Sequence, residues 1–225
     1  MCGRYYWKRK YDLDRKSFIE KCENPFEAPP NFNVAPTQEA PIIRIDPVDG
    51  KSELLLSHWG LIPSWAKDRK LSFKMINARS ETAAVKPAFR GPFKKKRCLV
   101  PADGYYEWIM TENGKLPYAI YPSDEDTFYM AGLWDCWKSP EGLMVLSFTI
   151  LTRAADPQVE HLHHRMPVIL DDQTQEAWID PNLQDPQELE SLLDYTKPTD
   201  LRFHPISTLV NSVRNNGPEL IEPRS

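Results

Sequence analysis

The chain begins Met1-Cys2-Gly3-Arg4, so loss of the initiator methionine leaves one residue carrying both an α-amine and a thiol. A free α-amine titrates near ~7.7–8.0 and a cysteine thiol near ~8.5, so appreciable fractions of both are expected in reactive form at neutral pH. Such an aminothiol attacks an aldehyde through nitrogen to give a Schiff base, then closes through sulfur to a five-membered thiazolidine ring. Taken alone, Cys2 reads more readily as a small residue at the start of a strand. Other polar groups have to decide.

Three further clusters could move protons or orient a substrate. In Gly104-Tyr105-Tyr106-Glu107-Trp108, strand alternation places Tyr105 and Glu107 on one face and Tyr106 and Trp108 on the other. Glu107 is thereby flanked by apolar neighbours, a partly desolvated setting suited to general acid–base work, although by itself the segment reads more readily as an edge strand with Glu107 facing water. His161-Leu162-His163-His164-Arg165 brings three of the five histidines together. A metal site would need more ligands at workable spacing, and no HExxH-like frame exists, so neither metal nor cofactor is expected. A single acid–base histidine with Arg165 held beneath it fits better. Asn77-Ala78-Arg79-Ser80-Glu81-Thr82 joins an amide, a guanidinium and a carboxylate. A helix cap at Ser80 or Thr82 would use Glu81 and leave Asn77 and Arg79 spare.

The elements that must position these groups are short. Ala40–Ile45 and Ser52–Trp59 read as strands around Asp46-Pro47-Val48-Asp49-Gly50, followed by strands at Arg97–Pro101, Gly104–Met110, Pro117–Tyr121, Thr127–Trp134 and Met144–Thr152. Asn113-Gly114 is a tight-turn signal. A buried strand is expected at Pro167–Leu170 and a last one at Leu201–Ile206. Helical spacing is expected over Leu13–Cys22, over Lys86–Lys96 with an interruption at Gly91-Pro92, over Asp156–His161, Thr174–Ile179 and Pro186–Leu193, whereas Asn24–Pro36 should be extended loop. The 225 residues show no repeat or domain-separating linker. The expected fold is a single α+β domain over 1–225 with a largely antiparallel, barrel-like sheet and peripheral helices.

No apolar run reaches the ~18–20 residues of a membrane span, so no membrane association is expected. The four cysteines form no CxxC pair, which favours reduced thiols in a cytosol-like compartment. The net charge of −4 hides a strong polarity. Between Trp65 and Arg97 lie eleven basic and two acidic residues, a local charge of +9, leaving −13 elsewhere. Trp59, Trp65, Phe73, Phe89 and Phe93 lie in or beside this segment; most of these rings are expected in the core. Cations beside flat rings suit single-stranded nucleic acid, whereas Lys94-Lys95-Lys96-Arg97 reads equally as a solvated helix end.

Six ordered motifs resemble those of the SRAP family, the SOS response-associated peptidases: Met1-Cys2-Gly3-Arg4, Phe32-Asn33-Val34-Ala35-Pro36-Thr37, Trp59-Gly60-Leu61-Ile62-Pro63-Ser64-Trp65, Asn77 to Thr82, Pro101 to Trp108 and His163-His164-Arg165-Met166-Pro167. The resemblance continues through His204-Pro205-Ile206-Ser207 and Asn216 to Ile221. It implies a sensor that binds single-stranded DNA at abasic sites, including single-strand/double-strand junctions, and links itself covalently to the open-chain aldehyde. On that resemblance Cys2 is the nucleophile, Glu107 and His163 the acid–base pair, and Asn77 the residue positioning the N-terminus and sugar. Arg79, Lys86 and Arg4 would hold phosphate, and Pro36, Trp65 and Trp108 would pack against unstacked bases. Lys86-Pro87 departs from the family's pattern, which carries its second basic contact near there. Removal of Met1 would be by the protein itself or by a methionine aminopeptidase, and lyase-like activity is compatible. A monomer is expected, replication-associated proteins are candidate partners, and the expected location is the nucleoid-bearing cytoplasm for a bacterial protein or the nucleus for a eukaryotic one.

Two other readings stay open on residue types. One is a thiol peptidase acting on other proteins through Cys2, His163 and Asn77; the other is a DNA-binding module in which Cys2 is incidental. Against the peptidase, no helix N-terminus follows Cys2 to lower its thiol pKa, and the basic segment has no role.

Overall fold

Alternating β-branched and aromatic segments pair here into two sheets, described by a computed structural model over residues 2–8, 28–194 and 200–224. The first sheet has strand order β13 (Leu201–Pro205), β8 (Gly114–Pro122), β7 (Gly104–Thr111), β1 (Tyr5–Trp7) and β2 (Asn31–Val34). The second contains β3 (Glu39–Ile45), β4 (Ser52–Trp59), β6 (Arg97–Ala102), β9 (Phe128–Lys138) and β10 (Met144–Ala154). Because β9 pairs with β10 as well as with β6, these five strands close into a barrel, which removes their free edges. β11 (Arg165–Pro167) and β5 (Asn77–Arg79) attach to β10, and β12 (Ile169–Leu170) attaches to β9. Among the described residues, all strand pairings are antiparallel except those of β10 with β4 and with β5. The expected α+β, barrel-like, largely antiparallel architecture is the one observed.

The expected Asn113-Gly114 turn joins β7 to β8, with Gly114 at φ +101°. Inside, Trp59, Phe148, Val100, Met130 and Ile150 pack with Tyr5, Tyr105 and Cys2 of the five-stranded sheet. Outside, Leu99, Leu133 and Leu151 meet Phe93, Trp178 and Leu189. Burying each such large side chain contributes ~1.5–3 kcal/mol, so the helices are held by packing more than by propensity.

Several elements differ from expectation. The helix expected over Lys86–Lys96 is α2, Arg90–Lys95, after the short α1, Ser80–Ala83. Gly91-Pro92 lies in the first turn of α2, where a missing N–H leaves no intrahelical bond unmade, so proline starts the helix and does not interrupt it. Asp156–His161 forms turns. Within Asn24–Pro36, residues Asn31–Val34 form β2 because β1 offers them a partner. The expected strand Pro167–Leu170 is split into β11 and β12. α3, Asp172–Ile179, starts before Thr174 because Asp171 accepts from the Gln173 and Thr174 N–H groups. α4 spans Pro186–Asp194. The expected helix Leu13–Cys22 lies outside the described residues.

The basic run also divides. Arg97 is buried and donates to the carbonyls of Trp178, Phe93, Lys94, Asp180 and Leu183, so it ties β6 to α2 and to the end of α3. Lys96 pairs with Asp135 at 2.6 Å. Neither is a free surface cation, whereas Lys94 and Lys95 are exposed.

Gly104 sets how closely β1 and β7 approach: a Cβ there would lie 2.3 Å from the Tyr6 ring. Tyr6 is itself buried against Tyr106, with ring centroids 5.1 Å apart. Gly104→Ala should therefore destabilise the fold by ~1–3 kcal/mol, read as a lowered midpoint in thermal unfolding. An unchanged midpoint would contradict this close packing.

Candidate active site around Cys2

Strand β1 pairs with β7 in the register Tyr5↔Tyr105 and Tyr6↔Gly104, and the Tyr106 N–H donates to the Arg4 carbonyl at 2.9 Å. Continued by two residues, that register sets Gly3 level with Glu107 and delivers Cys2 just beyond it. Cys2 is fully buried, and Glu107 is buried on the same strand face as Tyr105. The Asn77 side-chain amide donates to the Cys2 carbonyl at 2.8 Å.

Asn77 and His163 reach this point from opposite flanks of β10. On one flank Ile150 and Thr152 pair with Asn77 and Arg79; on the other Thr152 and Ala154 pair with Pro167 and Arg165. Arg165 secures the junction. Its guanidinium donates to Glu81 Oε1 at 2.5 Å and Oε2 at 2.9 Å, and to the Thr152 carbonyl. This bidentate bond holds the Glu81 carboxyl below its ordinary range. The His163 Nδ1 is held against the Arg165 backbone, 2.9 Å from its N–H and 3.2 Å from its carbonyl oxygen, which fixes the orientation of the ring.

Burial pushes the Cys2 thiol far above its ordinary value, and the neighbouring Glu107 charge adds to this. Burial also lowers His163 below its usual 6.5, with Glu107 opposing. Glu107 thus acts on both groups, and the structure brings Cys2, Asn77, Glu107 and His163 into one centre. Burial thus opposes the appreciable thiolate fraction expected of a free aminothiol.

Residues carried over as DNA contacts fall into separate groups. Arg4 is half-buried, donating to Asn33 Oδ1 at 2.6 Å and the Val210 carbonyl at 2.9 Å, with its guanidinium carbon 5.9 Å from the Trp108 ring. Much of its donor capacity is spent inside the fold. Trp108 is half-buried and donates to Asn211 Oδ1 at 2.8 Å. Pro36 is half-buried in the turn closed by the Gln38 N–H on the Ala35 carbonyl, beside Thr37 at φ +73°. Arg79 is exposed at the end of β5, Lys86 is exposed between α1 and α2, and Trp65 is 61% exposed on a separate loop. Of the other rings, Trp59, Phe89 and Phe93 are core, whereas Phe73 is exposed.

Tyr5 and Tyr105 were not singled out as site residues in the sequence. The hydroxyls of Tyr5 and Tyr105 and the Oδ1 of Asn77 are buried without a hydrogen-bond partner among the described residues, and both phenols sense the Cys2 sulfur. Alternation put Tyr105 on the Glu107 face, but nothing in one sequence shows that Tyr5 stands opposite it. The Glu81–Arg165 clamp joins positions 84 apart, so a local cap was the available reading of Glu81.

Known proteins share this chain's sequence and fold over most of its length. A family model described as SOS response associated peptidase (SRAP) matches residues 1–213. Abasic site processing protein YoqW of Bacillus subtilis (strain 168) is 42% identical over 224 residues, covering 99% of each chain. Abasic site processing protein HMCES of Gallus gallus is 38% identical, covering 86% of this chain and 66% of its own. A crystal structure of a protein from Bacteroides thetaiotaomicron superposes with a TM-score of 0.81 at 29% identity, covering all of both chains. With a family match of that extent, and the motif residues converging on one buried centre, the chain belongs to the SRAP family, in which its relatives are named abasic site processing proteins.

Proposed function

We propose that this protein processes abasic sites in single-stranded DNA by forming a covalent thiazolidine link through Cys2 once Met1 has been removed. The observation that carries the reading is the Asn77 amide on the Cys2 carbonyl, which fixes the N-terminal residue where Glu107 and His163 also act. The names of the relatives supply the substrate class.

The chemistry follows from that placement. Glu107 takes a proton from the Cys2 α-ammonium, and the freed nitrogen attacks C1 of the open-chain sugar. The carbinolamine loses water to give a Schiff base. Sulfur then adds to the imine carbon while its proton passes to the nitrogen, so amine, thiol and aldehyde give thiazolidine and one water. His163 can donate a proton to the ring oxygen as the sugar opens and accept it back on reversal. Because the thiol is held protonated, nitrogen attacks first and sulfur second. The same protonation counts against a thiol peptidase acting in trans, whose thiolate must be the leading nucleophile.

Cys2→Ala should abolish the heat-stable adduct with an abasic oligonucleotide while leaving the fold and non-covalent binding in place. Cys2→Ser should give at most a labile adduct. Intact-mass analysis after denaturation reads both, and a full-strength stable adduct from Cys2→Ala would refute the proposal.

Glu107→Gln should slow adduct formation, and should also block Met1 removal if the protein performs that step itself. His163→Ala should impair sugar opening and reversal but leave the N-terminus correctly processed. His161→Ala and His164→Ala should behave like the wild type. Pre-steady-state gel assays with mass spectrometry of the N-terminus separate these outcomes; equal defects in all three histidine variants would remove His163 from its role.

Binding should weaken with salt by a slope of about −0.7 in log K per phosphate neutralised on a single strand. Arg79→Ala and Lys86→Ala should each lower affinity for all sequences alike and flatten that slope. If the double variant keeps the wild-type slope, these residues do not hold phosphate.

A further inference from the structure

Two tyrosine doublets meet where β1 pairs with β7, Tyr5-Tyr6 against Tyr105-Tyr106, in the register Tyr5↔Tyr105 and Tyr6↔Gly104. Alternation sends the two members of each doublet to opposite faces. On one face the Tyr106 hydroxyl donates to the Phe32 carbonyl at 2.8 Å, as a buried phenol ordinarily does. On the other, the face of Glu107, Tyr5 and Tyr105 pack in the same apolar cluster as Cys2 and are 0% and 1% exposed. Their hydroxyls have no hydrogen-bond partner among the described residues.

A desolvated, unpaired hydroxyl costs stability, and phenylalanine in either place would fill the same space without it. Both rings are nonetheless firmly set. Tyr5 lies edge-on to Trp59 with centroids 5.1 Å apart, and the Trp59 indole N–H donates to the Ile76 carbonyl at 2.9 Å, one residue before Asn77. Tyr105 stands two positions from Glu107 on one strand face. Burial holds both phenols well above their ordinary range, with the Cys2 sulfur the foremost neighbouring charge, so each keeps its proton and remains a donor. Asn77 Oδ1, likewise buried without a partner, only accepts.

The step that needs such donors is ring closure. The C–S bond forms at the imine carbon, the C=N π pair moves to nitrogen and the thiol proton follows it there, so sulfur carries negative charge only in passing. We propose that the Tyr5 and Tyr105 hydroxyls donate hydrogen bonds to the Cys2 sulfur as that charge develops, which makes them further catalytic residues for the second half of the reaction. This rests on the reading above that Cys2 closes a thiazolidine. Each phenol keeps its own proton throughout. Because the hydroxyls are unpaired at rest and bonded at the transition state, their contribution appears in the rate of closure. The earlier attack by nitrogen is left to Glu107.

The test uses the full-length protein with Met1 removed, checked by intact mass, and a single-stranded oligonucleotide carrying one abasic site. At each time one portion is quenched with sodium borohydride, which reduces the Schiff base to a stable amine, and a second is heat-denatured directly, which leaves the thiazolidine. The double variant Tyr5→Phe/Tyr105→Phe should form borohydride-trapped adduct at the wild-type rate but close to the heat-stable adduct roughly 10- to 150-fold more slowly, with each single variant between. All three should keep or raise the thermal midpoint, because the hydroxyls they remove have no resting partner. Tyr106→Phe, which loses a made hydrogen bond, should lower the midpoint and close normally. Wild-type closure by the double variant, an equal slowing of trapping and closure, or a fall in midpoint like that of Tyr106→Phe overturns the role of the phenols alone. A wild type that gives no heat-stable adduct overturns both this inference and the reading on which it rests.

Discussion

Strand β1 has a neighbour on each side, β2 and β7, and this interior placement of the chain's first strand is the constraint on which the site depends. An N-terminus is ordinarily among the most mobile parts of a domain unless it is tied into a sheet. Here each backbone link carries positional information: Tyr5 opposite Tyr105, the Arg4 carbonyl on the Tyr106 N–H, and the Cys2 carbonyl on Asn77. The reactive residue is thereby fixed by main-chain geometry, and the side chains have only to surround it.

The second organising element is β10, which is shared between the barrel and the site. Its first residues close the barrel on β9; its last hold β5 on one flank and β11 on the other. The parallel pairing with β5 is an exception in an antiparallel fold, and it is what brings the Asn77–Arg79 segment beside the segment that carries His163. Arg165, bound to both Glu81 and Thr152, locks the two flanks together. A change at Glu81, itself half-exposed, would therefore be felt at His163.

Much of the fold was legible in the sequence because most strands announce themselves by alternation and their turns by Gly and Asn. What was not legible was non-local. β2 is a strand only because β1 lies beside it, and Asn31–Val34 carries a loop-like composition. Pro92 reads as a breaker unless the helix is known to begin two residues earlier. The site was legible as motifs and invisible as geometry: Cys2, Asn77, Glu107 and His163 could be named, but their convergence needs registers between segments up to 161 positions apart. The burial of the sulfur was hidden for the same reason, since exposure is not written locally. Arg97 shows the converse, a cation in a basic run that the fold uses to satisfy five carbonyls.

The burial of Cys2 bears also on how long such a residue survives. Peroxide attacks thiolates, and an accessible, ionised N-terminal cysteine would pass to sulfenic and then sulfinic acid under oxidative stress. Held neutral and out of solvent, the Cys2 sulfur is poorly oxidisable as well as slow, and Cys98, also buried with its thiol pushed up, offers no ready disulfide partner. The same desolvation that delays ring closure shields the nucleophile between uses, so an oxidising episode falls first on exposed sulfur such as that of Met110 and Met144.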